Sequence, residues 1–355
     1  MPDLKLRLAL DESGLGLMLL AAGAGALVVT PFAGLAIARF GGRSLMLGVG
    51  LAFNAILPLL TVLPGIIATA IGLAAFGATI AVVDVAMNAQ AVVVEQAAGR
   101  RMMSGFHGLF SLGGLIGAGG MSIALHFGAT PLLATTLVAI AAALLLLSQA
   151  PGMLPRIDAP AARMMIPRGR LALIGALCFI GFMAEGAVHD WSAVLLRFER
   201  GADAATAGLA YAAFATAMAV GRLTGDALLR HVRAATILRA GAILATAGFL
   251  AMALLPALPF ILLGCALIGL GLANIVPLLF TAAARTQGMD PGLAISAAAT
   301  LGYIGLLVGP PMIGFGATLI SLPLALAATG LLLLCVAVTA RIAEDPHAHP
   351  PPDHR

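Results

Sequence analysis

Apolar runs of about 20 residues alternate with short polar breaks along the whole chain, and each run is long enough to cross a bilayer as a helix. Eleven stand out: Leu15–Ala38, Leu45–Leu63, Gly65–Val94, Met103–Phe127, Pro131–Leu147, Leu171–Leu196, Ala207–Leu229, Ile237–Leu255, Phe260–Ala284, Leu293–Ile320 and Leu322–Val338. The longest break is "PGMLPRIDAPAARMMIPRGR", residues 151–170, with five runs before it and six after. The pattern predicts an all-α polytopic membrane protein. Its expected parts are a helical bundle over residues 1–150, a central loop over 151–170, a second bundle over 171–341 and a disordered tail over 342–355.

Composition agrees with that pattern. Of the 355 residues 61% are hydrophobic and 10% charged, against about 25% charged in soluble domains. Length alone would suggest two or three soluble domains, but the mean hydropathy of +1.08 overrides it. The sequence pI of about 9.5 does not point to nucleic acid, because the basic residues stand singly or in pairs with no stripe or interleaved aromatics. Cys178, Cys265 and Cys335 fall in three separate runs and read as packing residues, with no disulfide or metal site.

The arginines set the expected orientation. Arg39 with Arg43, Arg100 with Arg101, the central loop, Arg230 with Arg233 and Arg239, Arg285, and Arg341 occupy alternate connections. The intervening breaks "TVLPG", "HFGAT", "LLPALP" and "ISLP" carry no Lys or Arg, and "RFERGAD" is charge-balanced. The positive-inside rule places the arginine-bearing breaks in the cytoplasm, which leaves the N-terminus outside and the tail inside. Lys5 and Arg7 before the first run do not make a signal peptide, since Asp11 and Glu12 intervene and the run exceeds a signal's apolar region.

Polar residues inside the runs carry the candidate chemistry. At 100° per residue Asp84, Asn88, Ala91 and Glu95 share one stripe of the third run, and Gln90 lies off it. An acid at mid-membrane costs roughly 2.5–3.5 kcal/mol on insertion scales, so the stripe should face the bundle interior. Asp84 then reads as a substrate or proton site, or as an interhelical hydrogen-bond partner. In the sixth run Glu185, His189 and Ser192 share a face, with Glu185 about 18 Å before Arg197 and so near mid-bilayer. Glu185 and His189 form either a proton-carrying pair or a static one. Asp190 and Trp191 read as structural, Trp191 as an interfacial anchor. Asn274 with Pro277 interrupts the ninth run, and Tyr303 lies one turn from Thr300 in the tenth; these could bond a polar solute or hold helices together. Glu95 and His107, near the cytoplasmic boundary, are gating or solvated groups. Arg222 and Asp226, four residues apart, suit an ion pair that breaks during a conformational change.

Two stretches repeat between the halves. "SLGGLIGAGG" (Ser111–Gly120) pairs with "TLGYIGLLVGPP" (Thr300–Pro311), and "FAGLAIARFGGR" with "VGRLTGDALLRHVR". Related halves joined by a basic loop point to a transporter. The glycines follow no strand, so close helix packing explains them better than a phosphate loop. Gly309-Pro310-Pro311 predicts a kink in the tenth run. The triple-His tail "HAHPPPDHR" reads as a disordered end, not a metal site.

With these stretches in place the chain resembles the major facilitator superfamily of secondary transporters. Gly34, Arg39, Gly41 and Arg43 match the family's cytoplasmic loop motif, although Ala38 stands where that motif has Asp. "DVAMNAQ", "SGFHGLFSLGG", "AEGAVHDWSAVLL" and "ATLGYIGLLVGPPMIGF" resemble a bacterial subgroup distantly similar to fucose-type sugar:proton symporters. The resemblance implies twelve spans in two pseudo-symmetric bundles, five plus six of which are in this chain. "PDLKLRLALDESGLG" looks like the loop after a first family helix, one that normally lines the cavity, so the expectation is a start codon placed too late or a shortened member. It also implies a monomer in the bacterial inner membrane and alternating access for a small solute. Asp84, Asn88, Glu185, His189, Asn274 and Tyr303 are then the expected cavity residues. Arg39, Arg43, Glu95, His107, Arg222 and Asp226 are the expected gate or latch.

Proton coupling follows from the titratable groups in the spans. No cofactor is expected, because no Walker or zinc-protease motif occurs. Two other classes stay open: a non-transporting remnant or receptor, and a membrane-embedded enzyme, the latter lacking any nucleophile or metal set.

Overall fold

The computed structural model describes residues 1–99, 102–156, 167–289 and 291–344. Thirteen α-helices are described: α1 Pro2–Arg7, α2 Glu12–Phe40, α3 Gly42–Leu59, α4 Gly65–Ala98, α5 Met103–His126, α6 Pro131–Gln149, α7 Gly169–Val194, α8 Ala204–Leu229, α9 Ala234–Leu254, α10 Leu258–Leu272, α11 Ile275–Ala284, α12 Pro291–Leu319 and α13 Leu322–Val338. Ten spans among the described residues are long and apolar enough to cross a membrane, with the shorter apolar α13 beside them. The protein is therefore a multi-pass helical membrane protein.

Helix ends follow local chemistry. Asp11 accepts from the Gly14 amide at 2.7 Å and caps α2. Asp203 accepts from Thr206 at 2.8 Å and caps α8. Thr130 and Ser321 do the same for α6 and α13, each with proline in the first turn, where a missing amide costs nothing. Gly41, at φ +81, turns α2 into α3 with no further linker, a backbone conformation that suits glycine. The break anticipated at Asn274 is present, since α10 ends at Leu272 and α11 begins at Ile275. At Pro310 and Pro311 the helix runs on unbroken.

The largest buried cluster runs through α7 to α13 and takes in Leu15 and Leu19 of α2; a smaller one joins Ala33, Ile37, Leu45, Val82 and Ala86 of α2 to α4. Many large apolar side chains point outward, among them Leu27, Val28, Phe32, Ile67, Ile71, Leu144 and Val338. On a soluble protein such a surface would signal binding; on spanning helices it faces lipid tails.

Trp191 departs from the expectation of an interfacial anchor. It is fully buried, as is Ser192. The cause is helical phase: Ala184, Ala187, Val188 and Trp191 form one buried stripe of α7, so register places the indole in the core. Cys335, expected to pack, is exposed.

We call the side bearing Arg39, Arg43, Arg230 and Arg285 the arginine face and the opposite side the far face. On the arginine face three arginines donate to carbonyls of their own helix set. Arg43, at the start of α3, reaches Met153 O at 2.7 and 3.0 Å and Pro151 O at 3.2 Å, just beyond α6. Arg239 of α9 reaches Ala337 O of α13 at 3.2 Å, and Arg170 of α7 reaches Ile342 O at 2.8 Å. A cation at a helix C-terminus satisfies carbonyls that have no partner in the helix. The arrangement repeats between α3–α6 and α9–α13, which extends the sequence repeat to its hydrogen bonds.

The two sets meet where α2 packs on α12 and α5 on α8. Gly16 lies under Pro310 and Pro311, and Gly314 lies against the Glu12 backbone. A side chain at either would collide with main chain, so these positions allow the helices their close approach.

Candidate functional site

Several polar groups inside the spans lie along α4, α7, α8 and α12, near where the two sets meet. Asp84 and Asn88 face the same way from α4: the Asn88 amide donates to the Asp84 carboxylate at 3.1 Å and to its backbone carbonyl at 2.9 Å. Gln90, off that stripe, turns away into the first set. There it donates to Met46 Sδ and accepts from the Leu154 amide at 3.0 Å, holding the end of α6 to α4. Period 3.6 thus divides one short segment into a seam-facing pair and a structural tie.

From the second set α7 contributes Glu185 and His189. Glu185 pairs with Arg222 of α8 at 3.4 Å, the two side chains being 21% and 24% exposed. His189 sits edge-on to Tyr211 and Phe214 of α8, with ring centroids 5.0 and 5.6 Å away, and lies within electrostatic reach of both Glu185 and Arg222. Tyr211 lies beside the same charged pair, and its hydroxyl sits over Gly114 of α5, where a side chain would meet it. Arg222, Tyr211 and Phe214 therefore complete a cluster that the chain order conceals.

Tyr303 of α12 packs on α7. Its ring lies 5.3 Å from Phe182 of α7, and its hydroxyl is within electrostatic reach of Asp84 from one set and Glu185 from the other. Although mid-helix, Tyr303 is 52% exposed and His189 is exposed as well. These groups border open space. A carboxylate held by an amide, a carboxylate held by a guanidinium, an imidazole and two phenols are groups that can bind a small polar solute through several hydrogen bonds. The carboxylates and imidazole can also exchange protons.

The remaining sequence candidates lie elsewhere. Asn274 donates to the Gly221 carbonyl of α8 at 3.1 Å and so closes the break between α10 and α11 against its neighbour. Arg43 is engaged within its own set, as above. Arg39 stacks over Phe40 at 5.6 Å. Glu95 accepts from the Met102 amide, tying α4 to the start of α5. His107 and Asp226 have side chains outside the described residues, as do the central 157–166 segment and the triple-His tail.

Sequence reasoning missed Tyr211, Phe214 and the pairing of Arg222 with Glu185; its expected pair of Arg222 with Asp226 falls on a side chain outside the described residues. The signal was there: Arg222 precedes the end of α8 by two helical turns, deep enough to meet an acid of the next helix. A cavity of about 220 Å³ at the far-face ends of α7, α8 and α10, lined by Arg200, Thr206 and Ile261, is separate from this cluster. Among the described residues no cluster of His, Cys, Asp and Glu has the makings of a metal site.

Comparison with known proteins agrees on one family. The family model described as Major Facilitator Superfamily matches residues 1–290. An uncharacterized MFS-type transporter of Yersinia pestis is 42% identical over 342 residues, covering 96% of this chain and 89% of that protein. Among solved structures, the nucleoside transporter NupG aligns with a TM-score of 0.69 at 14% identity, over 96% of this chain and 93% of that one. The fucose:proton symporter of E. coli aligns with a TM-score of 0.59 at 16% identity, over 97% and 93%.

Proposed function

Because this chain belongs to the Major Facilitator Superfamily and is a membrane transporter, we propose that it is a secondary active transporter that couples movement of a small polar solute to protons by alternating access. The observation that carries this reading is the seam cluster. Asp84–Asn88 of one helix set and Glu185–Arg222–His189 of the other lie near enough to Tyr303 for the charges of both acids to act on its hydroxyl. Ionisable side chains in a hydrocarbon environment are retained where they have work to do, and transporter sites sit at the midplane between repeats.

The named neighbours suggest which solutes to try first, sugars and nucleosides, since both offer hydroxyls for carboxylates and amides and a face for Tyr303 and Phe182. We place the arginine face in the cytoplasm of a bacterial inner membrane, by the positive-inside rule, and take the monomer as the working unit. In this cycle the residues 1–150 and 171–341 rock as two bodies joined by the central loop.

The test is uptake into proteoliposomes. Solute accumulation should rise when the outside is made acid, collapse with a protonophore and be lost in Asp84→Asn. Accumulation that is indifferent to the proton gradient in both the natural protein and Asp84→Asn would refute the coupling.

A further inference from the structure

Helix α1 lies on the far face and contacts both helix sets, with unequal grip. Toward the first set it is held firmly. The Arg7 guanidinium donates to the Leu60 carbonyl at 2.8 Å and to the Leu63 carbonyl, at the C-terminal end of α3 where carbonyls lack helical partners. Lys5 pairs with Glu12 in the first turn of α2. Arg7, Lys5 and covalent continuity with α2 therefore make α1 travel with the first set.

Toward the second set the same Lys5 ammonium lies 4.6 Å from the centre of the Phe198 ring, and Leu4 packs on the core that α2 shares with α7 to α13. Phe198 belongs to a π-helical turn, Leu195–Glu199, at the far-face end of α7. Such turns mark places where a helix has given up its regular ladder and recur at functional positions. Arginines in and just after the turn bond within their own set, Arg197 to Ala202 O at 2.8 Å and Arg200 to Ala253 O at 2.7 Å. So Phe198 is presented by a segment anchored to the second set, and Lys5 by a segment anchored to the first.

We propose that the Lys5–Phe198 contact is an external latch: it holds the far-face mouth shut and must part each time the site opens outward. The proposal rests on the alternating-access reading and its orientation. The chemistry suits a latch. A cation over a ring at a partly exposed site is strong enough to bias a conformational equilibrium yet weak enough to break in every cycle, and neither partner is left buried and unpaired when it opens, since Lys5 retains Glu12.

The test needs no substrate. Leu15, near the far-face start of α2, is fully buried, so Leu15→Cys, in a chain with Cys178, Cys265 and Cys335 replaced by Ala, reports opening through its labelling by a membrane-impermeant maleimide added outside cells. Phe198→Leu keeps the apolar volume and removes the ring; Lys5→Met removes the charge. Each should raise the labelling rate about two- to fivefold, the range of such a contact, and the two together no more than either alone. Leu19→Cys provides a second reporter should Leu15→Cys fail to fold. Thr206→Cys, on the far face, should label equally in all variants.

Unchanged Leu15→Cys and Leu19→Cys labelling, with Thr206→Cys reactive, would overturn the latch and leave the transport reading intact. Thr206→Cys protected from outside but reactive in inverted vesicles would overturn the orientation and the latch with it. A raised rate in protein that shows no proton-driven uptake would keep the latch while refuting the coupling.

Discussion

Glu185 and Arg222 are 3.4 Å apart and each about one-fifth exposed, so removing either should harm the fold and removing both should harm it less than the sum. At that separation, with an effective dielectric near 20, the attraction is about 5 kcal/mol. Partial exposure and the desolvation of both groups offset more than half of it, leaving a coupling of about 2 kcal/mol. With an unfolding entropy of about 2.1 cal/mol/K per residue, 2 kcal/mol in a chain of this length shifts the melting temperature by about 3 °C. The assay is thermal unfolding in detergent for Glu185→Gln, Arg222→Met and the double variant. The double variant should melt about 3 °C above the temperature expected from adding the single shifts. Additivity to within about 0.5 kcal/mol would refute the pair as an energetic unit. An Asp226→Asn change that cancels the Arg222→Met shift instead would restore the partner assigned from sequence spacing.

Three further outcomes follow from other parts of the structure. A side chain at Gly77 would strike the Ala22 main chain of α2, whereas Gly48 faces open space; Gly77→Leu should abolish the monodisperse peak in fluorescence-detected size exclusion while Gly48→Leu leaves it unchanged. The Asp203 carboxylate, bonded by the Thr206 amide at 2.8 Å and its hydroxyl at 2.9 Å, has its pKa lowered by those bonds. A lowered folded pKa means stability that is present above the ordinary carboxylate range and lost as pH falls through the folded value. The melting-temperature gap between the natural protein and Asp203→Ala should therefore hold above about pH 5 and narrow as pH falls below about 4. Arg43→Met should speed hydrogen exchange at residues 151–154 without changing it at 337–343, and Arg239→Met should do the converse, because each arginine serves its own set.

Hydrophobic periodicity revealed the spans because lipid imposes a rule that soluble cores do not: about 20 apolar residues for every crossing. It revealed the stripe of Asp84 and Asn88 because an acid in such a helix has only one tolerable direction. The break at Asn274 was legible from an amide and a proline interrupting one run. What sequence could not supply was contact across helices. Glu185 is far in sequence from Arg222, so a rule about neighbours on one helix could offer only Asp226, and it is the packing of α7 on α8 that brings Glu185 to the guanidinium. Trp191 misled for a related reason: its residue type suggests an interface, but the buried stripe of α7 passes through its position.

The placement of polar bonds also bears on how such a molecule can move. On the arginine face Arg43, Arg170 and Arg239 tie the ends of distant helices together, and each tie stays within one helix set. Gln90 does the same from α4 to Leu154. The contacts across the seam have a different character: Gly16 under Pro310, Gly314 under Glu12, and Tyr211 over Gly114. Hydrogen bonds to main-chain carbonyls have strict geometry, so the first kind makes each set resist internal distortion. Small-residue packing in lipid is held mainly by shape, and a helix can tilt against its neighbour there without leaving an unsatisfied polar group in hydrocarbon. Stiff bodies meeting through small-residue contacts suit the rocking proposed above, and Asp84 and Glu185 keep partners within their own helix sets, Asn88 and Arg222.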